Sequence, residues 1–133
     1  MISLTIGGEA YPLTQISIRR DLDGGEISGR IAGYAMLLPG AECRVSVDDL
    51  PDIVGTLISA SIDEQTTAIT ASLAISTGAG TWAPEKVQVR GSGMLRAALD
   101  YAVLPGDIVN GISIESVTHT LSARGAGFTE ARW

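Results

Sequence analysis

The residues whose side chains could do chemistry are few and widely spaced along the chain. There is one histidine, His119, and one cysteine, Cys43, so no zinc site made of cysteine and histidine can be completed. No HExxH, P-loop or GxSxG sequence occurs. The sequence therefore nominates no catalytic, cofactor-binding or metal-binding residue, and we expect a protein that is not an enzyme.

Carboxylates offer the remaining routes to chemistry. A cell-wall hydrolase would need a pair of them in a cleft, and although Glu64, Glu85 and Asp100 are available, no spacing pairs them. The acidic segment Asp48-Asp49-Leu50-Pro51-Asp52 has the ligand type of a weak calcium loop. Its spacing matches no EF-hand, so we interpret it as a solvated acidic turn.

His119 and Cys43 both lie in alternating, strand-like segments. His119 shares one strand face with Val117 and Leu121. We predict a structural, hydrogen-bonded histidine, because a catalytic base would need a nucleophile and an orienting carboxylate that the sequence does not nominate. Arg44 could lower the pKa of the Cys43 thiol, but the apolar setting favours a small buried side chain.

The composition describes one domain with little charge on its surface. Of 133 residues, 45% are apolar, 5% aromatic and 18% charged, whereas typical soluble domains are about 25% charged. The core must therefore be built from Val, Ile, Leu and Ala. The low charge indicates either a surface covered by partners or one rich in Ser, Thr and Gly, and composition supports both equally.

Charge and hydropathy weigh against several classes of partner. The net charge is -6 and the basic residues are scattered, with Arg19-Arg20 the only adjacent pair, so no basic stripe exists for nucleic acid or for an anionic membrane. The N-terminus lacks the basic and apolar regions of a signal peptide. The longest apolar run, near Ile31 to Leu38, is too short to span a bilayer. A single cysteine forms no disulfide framework, which suits synthesis in a reducing cytoplasm.

The elements that would position these residues are nearly all strands. Alternating or β-branched runs bounded by Gly, Asp or Pro predict strands over residues 2–6, 13–18, 26–34, 43–48, 53–62, 67–76 and 86–90. The segments 53–62 and 67–76 are predicted to form a long hairpin closed by residues 63–66. One face of its second arm carries Ile69, Ala71, Leu73 and Ile75. Gly29 and Gly33 are predicted to mark bulges or close approaches.

Two later segments allow more than one interpretation. Residues 95–103 alternate cleanly, which favours a strand over the helix that the Leu, Ala and Arg residues of 94–101 would also support. Residues 112–114 alternate in one phase and residues 117–121 in the opposite phase. A bulge near Glu115-Ser116 would reconcile the two phases.

We expect the chain to end in a docked strand. Gly125-Ala126-Gly127 is a turn that can fold the chain back, and a final strand would follow it. Phe128 and Trp133 are then expected to be buried, under the barrel edge or against a neighbouring subunit, since aromatic residues are enriched at interface centres. A disordered tail with an incidental tryptophan is the alternative.

The strands divide into two β-rich halves, about residues 1–77 and 84–133, joined by the Gly-rich loop 78–83 of a single domain. Each half contains a Leu-Pro-Gly sequence, at 38–40 and 104–106, followed by a polar residue and an alternating strand. Proline presets φ, and glycine takes the positive φ of a type II turn. This repeated sequence reflects either the chemistry of the turn alone or the presence of two related structural units. The whole pattern predicts an all-β fold, a compact antiparallel β-barrel or sandwich.

Two segments resemble the baseplate-hub proteins of tailed bacteriophages, the group that includes late-control tail proteins. Residues 16–25, ISIRRDLDGG, resemble the opening strand and turn of that family, and a Pro-Gly turn into a strand follows at 38–47. Residues 104–122 and Gly127-Phe128-Thr129 resemble its C-terminal region, where a Pro-Gly-Asp turn leads into a Val-Thr-His strand. These motifs touch about half of the chain, and members of the family are usually longer.

The resemblance implies a β-barrel that assembles into a ring at the tip of the tail tube. The hub form is usually a trimer with two similar barrels per chain, and a hexameric distal-tail ring is a close variant. We therefore expect a structural subunit of the tail tip or baseplate, located in the virion tail and made in the host bacterial cytoplasm. It would continue the tail tube and dock other tail tube and baseplate proteins. The candidate interface residues are Arg19, Arg20, Trp82, Phe128 and Trp133.

The alternative is a β-sandwich module that binds a carbohydrate or a receptor. Sugar sites stack rings on exposed aromatic side chains, and this chain offers only Trp82, Trp133, Phe128 and three tyrosines. Trp82 could anchor a ligand or a neighbour, although a tryptophan in such a loop more often pins the loop to its own domain.

Overall fold

Short alternating segments form strands throughout the computed structural model, which describes residues 2–33, 35–47, 51–122 and 127–133. The strands are β1 (Ile2–Ile6), β2 (Glu9–Tyr11), β3 (Leu13–Asp21), β4 (Gly24–Ala32), β5 (Glu42–Val47), β6 (Ile53–Asp63), β7 (Thr66–Leu73), β8 (Val89–Gly91), β9 (Met94–Ala98), β10 (Ile108–Val109), β11 (Ile112–Ser113), β12 (Ser116–Ser122) and β13 (Gly127–Arg132). The described residues contain no helix, so the predicted all-β fold is confirmed.

Eleven of these strands form one antiparallel sheet, in the order β2-β1-β5-β6-β7-β4-β3-β12-β13-β9-β8, and β10 and β11 form a separate hairpin. Only Pro12 separates β2 from β3. Because β2 pairs with β1 while β3 pairs with β4, this continuous segment links two distant places in the strand order. The strands β1, β2–β3, β4, β7, β6 and β5 therefore curl into a small barrel-like unit, called the barrel below, whose two sides are joined at Pro12 by the chain and not by strand pairing.

The first of two apolar cores lies mainly inside this barrel, and Tyr101 and Leu121 reach it from outside the barrel strands. It follows from period-two alternation, since residues two apart on a strand point to the same face. Its members are Leu4, Ile6, Ile16, Ile18, Ile27, Ile31, Cys43, Val45, Ile53, Leu57, Ile69, Ala71, Leu73, Tyr101 and Leu121. Aliphatic residues dominate the list, as the shortage of aromatics requires.

A second core lies where the sheet continues beyond β3 into β12, β13 and β9. It consists of Trp82, Leu95, Ala97, Val103, Val109, Ile114, Val117 and Ala131. Strand β12 contributes to both cores, through Leu121 to the first and Val117 to the second. The two predicted halves thus share a continuous sheet, and the second half contributes Tyr101 and Leu121 to the first core. The division of the single domain into these halves stays a prediction.

The predicted strand over residues 95–103 is wrong beyond Ala98. Two polar contacts end it, because the Asp100 amide donates to Thr129 Oγ1 at 2.7 Å and the Asp100 carboxylate accepts from the Ala102 amide at 3.0 Å. The chain then turns inward, and Tyr101 and Val103 enter the two cores instead of continuing the sheet.

The predicted bulge near Glu115-Ser116 is a break between two strands. Ile114 exchanges two backbone hydrogen bonds with the turn at Gly106 and Asp107, each 2.8 Å long, which takes it out of strand pairing. The alternation of residues 112–114 predicted that Ile112 and Ile114 share one face. This is wrong, because Ile112 is exposed whereas Ile114 is buried.

Two other predicted boundaries shift. Ile75 follows the end of β7 and is exposed, unlike Ile69, Ala71 and Leu73. Of the predicted strand 86–90, only Val89 onward is assigned to β8. The final strand is confirmed as β13, whereas residues 123–126 of the predicted turn lie outside the described residues. Gly33 takes a φ of 84° just after β4.

Gly29 allows β3 and β4 to approach closely, as the sequence predicted. A Cβ atom there would lie 2.7 Å from the Gln15 carbonyl oxygen and 3.1 Å from Ile16 Cγ1. We expect Gly29→Ala to lower the free energy of unfolding by about 1–3 kcal/mol, since the strands must separate to accept the methyl group. Urea denaturation would measure this loss.

Gly91→Ala is the matched control, because no heavy atom lies within 4 Å of its added Cβ and its φ is not positive. It should change stability by no more than about 0.5 kcal/mol. Equal losses in the two variants would show that the close approach at Gly29 is not what requires glycine.

Candidate interaction surface

A buried polar junction lies between the two cores, on the inward face of β3 and β12. His119 is fully buried between Val117 and Leu121 on β12. Its Nδ1 atom is 2.9 Å from Thr129 Oγ1, and its ring packs edge-on against Tyr101, with ring centroids 5.0 Å apart. The predicted hydrogen bond of His119 is therefore confirmed, and its purely structural role stays a prediction.

The surroundings hold His119 neutral. Burial, and then the nearby positive charge of Arg20, lower the pKa of His119 to about 3. Burial likewise raises the pKa of Tyr101 to about 12, with Arg20 opposing the shift. Burial also lowers the pKa of Arg20 itself. Three side-chain atoms here, His119 Nε2, Tyr101 OH and Arg20 Nε, have no hydrogen-bond partner among the described residues.

The two arginines of the candidate interface point to opposite sides of the sheet. Arg20 continues the inward row of Ile16 and Ile18, so it belongs to the junction and is only partly accessible. Arg19 points outward, with its side chain 66% exposed and paired with Asp21 at 3.3 Å. Of the pair, only Arg19 is presented to solvent.

Trp82 is buried within its own chain. It belongs to the second core, and its backbone amide donates to the Ile108 carbonyl at 2.8 Å. Ile108 in turn donates to the Gly80 carbonyl at 2.9 Å, so the Gly-rich loop is tied to the β10–β11 hairpin. This geometry matches the alternative in which the tryptophan pins its loop.

The two Leu-Pro-Gly turns make the same pattern of backbone hydrogen bonds. Gly40 and Gly106 have φ angles of 94° and 96°, as a type II turn requires. The Gly40 amide donates to Leu57, whose own amide donates to Ala41; the Gly106 amide donates to Ile114, whose own amide donates to Asp107. Leu57 and Ile114 are both buried. Turn sequence and hydrogen-bond pattern therefore repeat together, one in each core.

Asp107 shows why the second of these turns carries an acid after its glycine. Its carboxylate is buried and accepts hydrogen bonds from the backbone amides of Gly80, at 3.0 Å, and Leu104, at 2.9 Å. It therefore joins the turn to the Gly-rich loop. The polar residue that follows the second Leu-Pro-Gly sequence, Asp107, therefore holds the surrounding loops together.

The C-terminal aromatics Phe128 and Trp133 are half-buried within this chain, and their burial against a neighbouring subunit stays a prediction. Phe128 lies on the outer face of β13 with the Arg96 guanidinium 4.2 Å from its ring centroid. Glu130 pairs with Arg96 at 2.9 Å and Arg132 at 2.7 Å. Burial opposes ionisation of Glu130, but hydrogen bonds from the two arginines hold its pKa below the usual value. Trp133 packs against the second core.

The outer face of the sheet is the feature that residue-by-residue reading missed. A register row of hydroxyl side chains crosses five neighbouring strands: Ser59, Thr70, Ser28, Ser17 and Thr120. A shallow groove of about 310 Å³ lies beside this hydroxyl row, with Gly29 and Ala68 in its lining. The row could be found only by knowing the register, because its members are scattered from Ser17 to Thr120.

The structure also locates Cys43 and part of the acidic segment 48–52. Cys43 is fully buried in the first core, where burial raises its thiol pKa to about 11, so the predicted buried filler is confirmed. Asp52 pairs with Arg44 at 3.0 Å, while positions 48–50 of the acidic segment lie outside the described residues. The described residues contain no group of three or more His, Cys, Asp or Glu placed to hold a metal ion. Within them, no helix has the length and apolar character to cross a bilayer.

Two solved structures similar to this fold are described as tail proteins. The tail protein from Neisseria meningitidis MC58 is similar with a TM-score of 0.61 and 10% identity, covering 98% of this chain and 95% of that one. The 43 kDa tail protein of prophage MuSo2 from Shewanella oneidensis gives a TM-score of 0.38 and 29% identity, over 53% of this chain and 25% of that one. No protein-family model and no curated protein matches the sequence. The first comparison shows a common fold along nearly the whole chain.

The neutral junction predicts acid sensitivity. The pKa of His119 in the folded chain is about 3, below the ordinary 6.5, so the unfolded chain binds a proton more readily. Stability is therefore fully present above pH 6.5 and is lost as the pH falls from about 6.5 toward 3. We expect the free energy of unfolding, measured in urea, to drop by roughly 2 kcal/mol between pH 7 and pH 5.

His119→Gln is the control for this effect. It should be less stable than the parent at pH 7 by about 1–3 kcal/mol, because the hydrogen bond with Thr129 is disturbed in a buried place. Its stability should then change little between pH 7 and pH 5. An equally steep loss in this variant would assign the acid sensitivity to other groups.

The C-terminal strand should be indispensable. β13 pairs with β12 on one side and β9 on the other, and its Ala131 belongs to the second core. Deleting residues 128–133 should abolish cooperative thermal unfolding, whereas Trp133→Ala should cost only about 1 kcal/mol, because that side chain is half-buried. A truncated chain that melts like the full one would contradict this placement.

Proposed function

We propose that the protein is a structural subunit of a bacteriophage tail. It would stand at the tail tip or baseplate, as a hub or a distal-tail ring, continue the tail tube and dock neighbouring tail proteins. The subunits form a closed homo-oligomer, a trimer or a hexamer. The protein acts through its surfaces and carries no catalytic step.

The fold comparison along the whole chain carries this proposal. The described fold and the Neisseria tail protein correspond over 98% and 95% of their lengths. A match of that extent involves the barrel, its extension and their connection, and not a single hairpin. The two segments that resemble hub proteins also meet in space, since residues 16–21 lie in β3 and pair with residues 116–121 of β12.

The outer face of the sheet supports a docking role. The hydroxyl row is uncharged across five strands, and charged side chains lie in the rows on either side of it, Arg19 with Glu26 in one and Arg30 in the other. Small uncharged side chains can be covered by a partner at little desolvation cost, unlike charges. The low overall charge therefore has a definite location on the molecule, where a neighbour could pack.

The aromatic side chains give less support to a sugar-binding module. Trp82 and Tyr101 are buried, and Tyr11, Phe128 and Trp133 are half-buried. None of the aromatic residues in the described segments is freely exposed for ring stacking, which is the usual basis of sugar recognition.

Locating the chain in purified phage particles would test the proposal. We expect mass spectrometry to detect it in virions, and immunogold labelling to mark one end of the tail in electron micrographs. Particles made without the gene provide the control for antibody specificity. Absence of the chain from virions, or labelling of the capsid alone, would refute the tail role. Binding to a glycan array by the isolated protein would favour the module instead.

A further inference from the structure

Arg20 carries a positive charge for which the described part of the chain offers no counter-ion. It is half-buried on the inward row of β3, and none of the ion pairs between described residues includes it. Burial lowers its pKa, and its Nε atom is enclosed without a hydrogen-bond partner. A charged group that loses water costs free energy unless another charge or hydrogen bond replaces that water. The environment of Arg20 is therefore incomplete.

Arg20 lines a cavity of about 270 Å³ between the end of β3, the start of β6 and the loop that follows β9. Tyr101 lines the same cavity, and its side-chain hydroxyl is also enclosed without a partner. The rest of the lining is Pro51, Asp52, Ile53, Asp100, Ala102 and Leu104. Apolar walls with a few polar groups are the usual composition of a small binding site.

The two acids in this lining are engaged elsewhere in their own chain. Asp52 pairs with Arg44 at 3.0 Å, and the Asp100 carboxylate accepts a hydrogen bond from the Ala102 amide at 3.0 Å. They leave the charge of Arg20 unpaired, but they would repel a ligand with several negative charges. A group with a single negative charge therefore fits this cavity better than a phosphate dianion does.

We propose that the cavity binds a carboxylate, supplied by an aspartate or glutamate side chain of a neighbouring tail protein. Of the Arg20 nitrogens only Nε is both enclosed and unpartnered, so we expect the terminal Nη1 and Nη2 atoms to donate to the two carboxylate oxygens. The planar guanidinium suits such a bidentate pair. The apolar walls at Pro51, Ile53 and Leu104 would cover the methylene groups of the bound side chain.

Charge favours another protein over a second copy as the source of this carboxylate. Each copy has a net charge of -6, with 15 acidic and 9 basic residues, so the approach of two copies is opposed at long range. A cavity of this size also accommodates one side chain and not a strand. The assignment to a tail protein rests on the proposed function, whereas carboxylate binding by the cavity does not.

A titration of the full chain, followed by NMR of the arginine side chains, would test the carboxylate site. The probe is N-acetylglutamate N-methylamide, and N-acetylglutamine N-methylamide is its neutral control. We expect a saturable shift of the Arg20 Nε–H signal with the first compound only. A dissociation constant on the order of 10 mM is expected, because one charge pair without a surrounding interface is weak. The absence of a saturable shift, or equal shifts with both compounds, would overturn the site.

Variants separate this site from general attraction of anions. Arg20→Gln should lose the binding without lowering the melting temperature, since it removes an unpaired half-buried charge. Arg90→Gln is the matched control, on an exposed residue of β8 outside the cavity, and should bind like the parent. Arg20→Lys keeps the charge without the planar fork and should weaken binding roughly tenfold. Unchanged binding by Arg20→Gln and Arg20→Lys would show that Arg20 is not the receptor.

Suppressor selection in a phage that encodes this chain would identify the source of the carboxylate. Arg20→Glu should yield few infectious particles, because it sets two acids against each other. Revertants are expected to carry Lys or Arg in place of an acid in another tail protein. Suppressors confined to acids of this chain would assign the contact to a second copy, and normal tails in the variant would remove the contact. Both results would overturn the proposed partner. Absence of the chain from virions would remove the tail role, while binding of the glutamate probe would still establish the site.

Discussion

The double pairing of β3 is the constraint on which the rest of the structure depends. From Gln15 to Asp21 this strand bonds to β4 on one edge and β12 on the other. It therefore belongs to the barrel and also begins the extension that covers the second core. Because side chains alternate, a slip of one residue would exchange buried Ile16 and Ile18 for Ser17 and Arg19. Burial of those isoleucines thus fixes the register of both units.

The polar junction follows from this arrangement. Where the two cores meet, the inward row of β12 passes from Leu121 through His119 to Val117, and the inward row of β3 ends at Arg20. A neutral histidine bonded to Thr129 occupies this position. An aliphatic residue could fill the same space without making the stability of the chain sensitive to acid. Buried polar groups of this kind favour one arrangement over others when their hydrogen bonds are directional. We interpret His119 and Thr129 as fixing how β12 and β13 meet the loop at Asp100.

The surface of the protein combines unpaired strand edges with a row of uncharged side chains. Pairing within the sheet covers most strand edges, yet the outer edge of β8 and that of β6 beyond Leu57 have no strand partner among the described residues. The hydroxyl row adds an uncharged strip that crosses five strands between rows that carry charged side chains. A protein that worked alone would be expected to protect such features more fully. Both fit a subunit whose neighbours complete it.

The sequence by itself determined the strands, the turns and the inward residues of most strands, because period-two alternation and Pro-Gly turns are local properties of the chain. It also predicted a buried, bonded His119 and the close approach at Gly29. It placed a strand beyond Ala98, where a contact between Asp100 and Thr129 from a distant strand ends the pairing. The union of β3 with β12, the division of the cores and the hydroxyl row were decided only by tertiary structure. Register between segments distant in sequence depends on which faces bury together, and no local pattern records that choice.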